Sequence, residues 1–149
     1  MNIKQNTLSL GPNQTVHYQY DQEADFLEIF FQREEEASAA IELTDNIILR
    51  FDWDTSTPLS LGFISFSKLL ESADYEEKHF ALLVDEWPDE VSGKVWHMLR
   101  KSPLVEVLKL GSYIPPNANT VMPMTAMNFM FAPDILRAVS RVPVAMSIA

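Results

Sequence analysis

Short apolar segments separated by acidic turns dominate the first half of the chain, and they constrain the fold more than any other feature. Residues 15–20 place Val16, Tyr18 and Tyr20 at alternate positions, which is typical of one face of a β-strand. Four further apolar segments predict strands at residues 26–31, 39–43, 47–51 and 59–66, and the first of them is rich in the aromatic and β-branched residues that strands favour. Five strands joined by polar turns predict an antiparallel meander.

The second half has the pattern of helices. The clearest covers residues 88–101, where Pro88 suits the first helical position and a buried stripe is predicted at Val91, Val95, Met98 and Leu99. Further helices are predicted from residue 72, at 104–110 with Gly111 as a left-handed cap, and at 133–142. The end of the helix from residue 72 stays open, because residues 79–84 would also serve as a strand, and residues 112–123 are expected to be an extended loop. We therefore expect an α+β protein, with an N-terminal antiparallel β-meander sheet packed against C-terminal helices.

Charge and composition divide the chain. Residues 1–90 contain 19 acidic and 5 basic side chains, whereas residues 91–149 contain 2 acidic and 6 basic side chains. Six of the nine prolines and six of the seven methionines follow residue 97. This asymmetry predicts a β-meander domain at residues 1–72 and a helical, Pro- and Met-rich extension at 73–149 that packs on the sheet. One domain with two differently charged faces is the alternative.

The composition excludes several classes of protein. Without cysteine, the chain has no disulfide framework, no cysteine-based zinc site, no iron–sulfur cluster and no thiol nucleophile. A net charge of −10 argues against binding nucleic acid, which requires clustered Lys and Arg. No apolar stretch approaches the roughly 20 residues of a membrane-spanning helix, and the N-terminus lacks the pattern of a signal peptide. We expect a cytoplasmic protein that does not bind nucleic acid or membranes directly.

The first hairpin has a recognisable motif. Tyr20-Asp-Gln-Glu-Ala-Asp25, followed by a strand through Ile29, resembles the signature of Domain of Unknown Function family 2283. Further landmarks follow in the family's order, at Glu42-Leu43, Asn46-Ile-Ile-Leu49, Phe51-Asp52-Trp-Asp54 and Leu61-Gly-Phe-Ile64. The resemblance covers about residues 15–72. It implies a small bacterial protein without established chemistry, and, because some members are encoded beside candidate toxin genes, an antitoxin-like role.

The sequence departs from the family pattern in two places. Residues 55–58 replace the glycine that follows the family's acidic turn, so this turn must differ in shape. Gly62-Phe63-Ile64-Ser65 lacks the acidic side chain of the corresponding family segment.

Two acidic turns are weak candidates for metal binding. Asp21, Glu23 and Asp25 alternate as in the start of a calcium loop, but the glycine and the final glutamate of such a loop are missing. Asp52 and Asp54 partly resemble a phosphatase box, in which the first Asp is the nucleophile and the second is the general acid. That motif has Ser56 in place of its threonine, leads into a strand, and lacks a later Asp-Asp pair. We predict hairpin turns at both places, and no catalytic residue, metal or cofactor.

The segment at residues 121–131 contains four Met and two Phe. Flexible methionine side chains form adaptable apolar surfaces, so the segment is a candidate for an extended strap over a partner or a second subunit. Its partner-binding candidates are Met122, Met124, Met127, Phe129, Met130 and Phe131. The alternative is that this segment covers the sheet as part of the core.

Taken together, these patterns favour a non-catalytic protein–protein interaction module, antitoxin-like or regulatory in role. The acidic half would attract a basic partner, and the Met-rich segment would supply buried area. A metal-dependent phosphatase-like hydrolase that uses Asp52 and Asp54 is one alternative. A structural subunit of a homo-oligomer is the other.

Overall fold

In the computed structural model, the described residues are 3–11, 14–32, 35–70, 79–114, 116 and 121–127. The larger of two antiparallel sheets has six strands, and it confirms the predicted α+β class. Its strands are β1 (Ile3–Gly11), β2 (Gln14–Asp21), β3 (Phe26–Phe30), β4 (Ala39–Glu42), β5 (Ile47–Asp52) and β6 (Thr57–Ile64). The five strands predicted from the alternating pattern are all present, and β1 is an additional one.

The strand order, β1-β2-β3-β6-β5-β4, is not that of a simple meander. Strand β3 pairs with β6, and β4 lies at the edge of the sheet. Strand β6 has a run of five buried residues, so a central position between β3 and β5 suits it better than an edge. The four-residue β4, which has no fully buried residue, suits the edge. As a result, the connection between β3 and β4 must pass two strands, β6 and β5.

One face of the six-stranded sheet forms the core. Along β2 and β3, buried residues alternate with partly buried ones, as the period-two pattern predicts. Three helices follow the sheet along the chain, α1 (Phe66–Leu70), α2 (Asp89–Leu99) and α3 (Leu104–Val107), and a 3-10 turn lies at Val84–Glu86. Phe66, Val95 and Leu104 are fully buried in one cluster with the sheet residues. The predicted stripe on α2 is confirmed, since three of its four residues are buried and Val91 packs against the cluster. Pro88 caps this helix and does not form its first residue.

A second sheet contains three strands in the order β7-β9-β8. They are β7 (His79–Ala81), β8 (Leu108–Tyr113) and β9 (Met122–Met127). The predicted helix at residues 104–110 was wrong beyond Val107, because Leu108 and the residues after it pair with β9. Gly111 lies within β8, and no described glycine has a positive φ, so its predicted role as a helix cap was also wrong. Pairing along the whole of β8 prevails over the local helical pattern here.

The strand alternative at residues 79–84 is confirmed at His79–Ala81, and part of the predicted loop at 112–123 belongs to β8 and β9. The start of the helix predicted from residue 72 and the helix predicted at 133–142 lie outside the described residues. In the described part of the chain, no helix has both the length and the apolar character needed to cross a membrane.

Hydrogen bonds join the described part of residues 79–127 to the large sheet. The indole Nε1 of Trp87 donates to the Glu42 carbonyl at 2.8 Å, and the Leu83 N–H donates to the Leu43 carbonyl at 2.9 Å. From α2, the Lys94 ammonium donates to the Trp53 carbonyl at 2.8 Å and lies 4.8 Å from the centre of the Trp53 ring. The helix and 3-10 turn are thus attached to the sheet at both ends of β5.

Candidate functional site

The acidic turn between β2 and β3 is stabilised by its own first residue. The Asp21 carboxylate accepts hydrogen bonds from the backbone N–H groups of Glu23, at 3.0 Å, and Ala24, at 3.2 Å. An aspartate side chain that bonds to the backbone two and three residues later is a common turn-forming element. The predicted hairpin turn is therefore present, and the Asp21 carboxylate contributes to its shape.

Asp25 connects the same hairpin to α1. Its Oδ1 accepts hydrogen bonds from the Tyr20 hydroxyl at 2.7 Å and the Ser67 N–H at 2.9 Å, and its Oδ2 accepts one from the Ser67 hydroxyl at 2.6 Å. The Asp25 carbonyl also accepts a bond from the Phe66 N–H at 3.0 Å. Asp25 thus caps the first turn of α1 from a strand hairpin more than forty residues earlier in the chain. Tyr20 and Asp25, the first and last residues of the motif, therefore have a structural role. We call the contact of Asp25 with Tyr20 and Ser67 the latch.

The turn between β5 and β6 is closed in a similar way. Asp52 Oδ2 accepts hydrogen bonds from the Thr55 N–H at 2.9 Å and the Thr55 hydroxyl at 2.8 Å. These bonds, the backbone one first, lower the pKa of the Asp52 carboxyl below its usual value. Asp54 is exposed in the turn, and strand β6 follows it directly. Among the described residues, no group of three or more His, Asp or Glu side chains lies close enough together to bind a metal ion.

The unexpected strand order creates a groove on the outward face of the large sheet. The connection from β3 to β4 passes this face. Its residues 35–38, which we call the crossing segment, and the sheet line a groove of about 560 Å³, which we call the crossover groove. Hydrogen bonds hold the connection at residues 31–32 and at residue 38. The N–H groups of Phe31 and Gln32 donate to the Leu59 carbonyl, and the Ser38 hydroxyl accepts a bond of 2.8 Å from the Trp53 N–H. The groove therefore follows from the topology of the sheet.

Polar residues from three neighbouring strands form the floor of the crossover groove. Glu28 Oε2 accepts hydrogen bonds from the Ser60 hydroxyl at 2.7 Å and from Arg50 Nη1 at 3.1 Å. The Glu28 side chain is 13% exposed and that of Arg50 is 48% exposed. Because Ser60 pairs with Phe30 on one side and with Arg50 on the other, all these side chains lie on the face opposite the core. One guanidinium therefore balances the charge of the carboxylate in the floor.

Two further carboxylates line the groove without belonging to the floor. Glu35 and Glu36 lie on the crossing segment, and both are exposed. Together with Glu28 and Arg50, they give the groove a formal charge of −2. The outward positions of Glu28, Arg50 and Ser60 follow from the period-two pattern, but their convergence depends on the pairing of β3 with β6. Because that pairing has no local signal, the sequence did not predict the crossover groove.

The predicted partner-binding residues lie in β9 or outside the described residues. Met122 opens β9 opposite Tyr113 and is 41% exposed, and Met124 is partly buried. Two exposed neighbours, Ile114 at 60% and Val121 at 57%, extend the apolar surface around Met122. We call these three residues the apolar β8–β9 end. Met127 closes β9, and Phe129, Met130 and Phe131 lie outside the described residues.

Comparison with known proteins gives one finding. No curated protein and no solved structure matches the chain. The model of the family DUF2283, described as a protein of unknown function, matches residues 17–54. The match confirms the resemblance predicted from the Tyr20–Asp25 motif, over a stretch that runs from within β2 to the turn after β5.

Proposed function

We propose that this protein is a non-catalytic protein-interaction module whose partner is a protein with a basic surface. The observation that carries the proposal is the apolar β8–β9 end, where Ile114, Val121 and Met122 are between 41% and 60% exposed. Ile114 and Val121 adjoin the Tyr113–Met122 pair at the end of the ladder, and clustered exposed apolar side chains are typical of surfaces that bind another protein. Methionine in such a surface adapts to the shape of its partner.

Charge supports a basic partner. Residues 1–90 contain 19 acidic and 5 basic side chains, and the described acidic residues include Asp21, Glu23, Asp45 and Asp54 at the ends of the large sheet. A surface of one sign attracts a partner of the opposite sign and raises the rate of association. In this proposal, the acidic sheet attracts the partner and the apolar β8–β9 end supplies the buried contact.

The contacts of the acidic turns also support binding over catalysis. Asp25, a candidate cation ligand, and Asp52, the nucleophile of the hydrolase alternative, accept hydrogen bonds that hold a helix start and a hairpin turn. Both carboxylates therefore have a structural explanation that needs no substrate. An antitoxin-like role is one form that such a module takes, with a basic toxin as its partner.

Co-purification of the tagged full chain from its native host, followed by quantitative mass spectrometry, tests the proposal. We compare the wild type with a Val121→Thr/Met122→Thr variant, which keeps residues that are compatible with a strand. Val105→Thr is the control, because Val105 is 39% exposed but lies on α3. We expect the wild type and the control to recover the same basic protein, and the double variant to recover at least about tenfold less of it, as for central interface residues.

Two results would overturn the proposal. One is equal recovery of the basic protein by all three forms. The other is a homo-oligomer, seen by light scattering, that the Val121→Thr/Met122→Thr variant dissociates. Circular dichroism and thermal unfolding of each variant confirm that a lost interaction is not a lost fold.

A further inference from the structure

We infer that the crossover groove binds an extended, arginine-containing segment of the partner protein. This inference rests on the proposed function, because it names the chemistry of the partner segment and a second contact surface. The groove, about 560 Å³ in volume, is within the range of roughly 300–1,000 Å³ that is typical of sites for small ligands and side chains. None of its lining residues belongs to the buried core cluster or to the apolar β8–β9 end.

The charges in the groove favour a cation. Arg50 balances Glu28 in the floor, so the exposed carboxylates of Glu35 and Glu36 give the groove its net negative charge. The Arg50–Glu28 bond of 3.1 Å occupies the floor carboxylate, so Glu35 and Glu36 are the acceptors that a partner cation would meet. An arginine of the partner can donate hydrogen bonds to the carboxylates of the crossing segment, because a planar guanidinium matches the geometry of a carboxylate.

The walls of the groove combine apolar and charged surface. Phe30 and Leu59 line one part, and Ala37 lines the crossing segment beside the two glutamates. The aliphatic stem of an arginine packs on such apolar surface while its charged end reaches the carboxylates. A small inorganic cation would use only the carboxylates, whereas an arginine side chain uses both kinds of surface.

An extended segment can reach the groove from the edge of the sheet. Ala39 and Ala40 of β4 line the groove, and β4 is the last strand in the order of the sheet. Leu43 N–H bonds to the Ile47 carbonyl, so hydrogen-bonded pairs alternate along β4 and the backbone of Ala40 points away from β5. Glu42 has the same orientation, and its carbonyl accepts the Trp87 indole N–H at 2.8 Å. An extended partner segment can pair with β4 beside Ala40, as in β-strand addition.

Fluorescence anisotropy with labelled synthetic peptides tests this inference on the full chain. The probe is a short peptide of alternating Arg and Thr, compared with peptides in which citrulline or glutamate replaces arginine. We expect only the arginine peptide to bind the wild type, more tightly at about 50 mM than at about 200 mM salt. Glu35→Gln/Glu36→Gln should weaken its binding about tenfold.

The matched control is Asp85→Asn/Glu86→Gln, which removes two exposed acidic side chains from the 3-10 turn outside the groove. This control should change the affinity less than about twofold if the groove is the site, because neither side chain lines the groove. Equal weakening by both double variants would show general attraction to an acidic protein and would overturn the inference. So would the absence of arginine-peptide binding to the wild type, or equal binding of the citrulline peptide.

The two proposals fail separately. If the arginine peptide does not bind but capture of the partner still depends on Val121 and Met122, the groove inference is wrong and the proposed function stands. If the peptide binds and no partner is captured through the apolar β8–β9 end, the proposed function is wrong. The Val121→Thr/Met122→Thr variant should leave peptide binding unchanged.

Discussion

Replacing Asp25 by alanine should lower the free energy of unfolding more than any other substitution in the acidic turns. The variant leaves the hydroxyl of Tyr20, a fully buried residue, without this acceptor, at a cost of about 1–3 kcal/mol. It also removes the cap from the Ser67 N–H of α1, which contributes about 1 kcal/mol. Because Asp25 has a φ of +53°, alanine is further strained there by roughly 1 kcal/mol. We expect a total loss of about 3–5 kcal/mol in the free energy of unfolding, measured by urea denaturation.

Two comparisons isolate the latch. Asp45→Ala makes the same chemical change at an exposed position in the turn between β4 and β5, and it should cost less than about 0.5 kcal/mol. Asp25→Asn keeps one acceptor oxygen and tolerates the positive φ, so its loss should be intermediate. A double-mutant cycle of Tyr20→Phe with Asp25→Asn should show a coupling of about 1 kcal/mol. Equal stability of Asp25→Ala and Asp45→Ala would refute the assignment of Asp25 as a structural latch.

Three further predictions concern stability. Since the pKa of Asp52 is lowered on folding, its ionised form contributes stability that is present above its usual pKa of 3.8 and is lost as the pH falls through the folded value. Unfolding at pH 7 and at lower pH should show that Asp52→Asn destabilises the protein at pH 7, and that this effect diminishes as the pH falls below 3.8. Trp87→Phe removes the hydrogen bond to the Glu42 carbonyl and should cost about 1–2 kcal/mol in urea denaturation; an unchanged midpoint would show that this bond does not hold the 3-10 turn to the sheet. Gly62→Ala brings a Cβ within 2.6 Å of the Phe26 ring and should destabilise the protein by about 1–3 kcal/mol. Phe26→Leu in the same chain should reduce that loss, and a loss unaffected by Phe26→Leu would contradict the contact.

The first half of the fold could be predicted because its signals are local. Alternating residues such as Val16, Tyr18 and Tyr20 mark the buried face of a strand wherever that strand pairs. The order of the strands depends on pairing across long separations, and the pairing of β3 with β6 has no local signal. The polar β1 was missed because it lacks a clear apolar alternation, although its register against β2 is regular from Ile3 to Ser9.

The second half shows where local pattern and long-range pairing disagree. Residues 104–110 have helical spacing, but the chain leaves the helix at Leu108 because β8 gains a full ladder with β9. The same ladder explains the Met-rich segment, whose predicted extended form is strand β9 as far as Met127. The role of Met122 at an interface stays a prediction.

The residues of the candidate site also differ in whether the sequence predicts them. Asp21 and Asp25 could be recognised from their motif, whereas Ser67, the partner of Asp25 in the latch, is 42 residues away. Glu28 and Arg50 are separated by 22 residues and meet only through the order of the strands. A sequence motif therefore located the hairpin, and only the structure located the latch and the groove.

The affinity between this chain and its captured partner, measured by titration calorimetry of the purified pair, tests the account most directly. If the apolar β8–β9 end contacts the partner, Val121→Thr/Met122→Thr should weaken binding at least about tenfold. The account predicts a similar loss for Glu35→Gln/Glu36→Gln that diminishes at high salt, and no loss for Val105→Thr. Wild-type affinity in both double variants would show that neither the apolar β8–β9 end nor the crossover groove binds the partner.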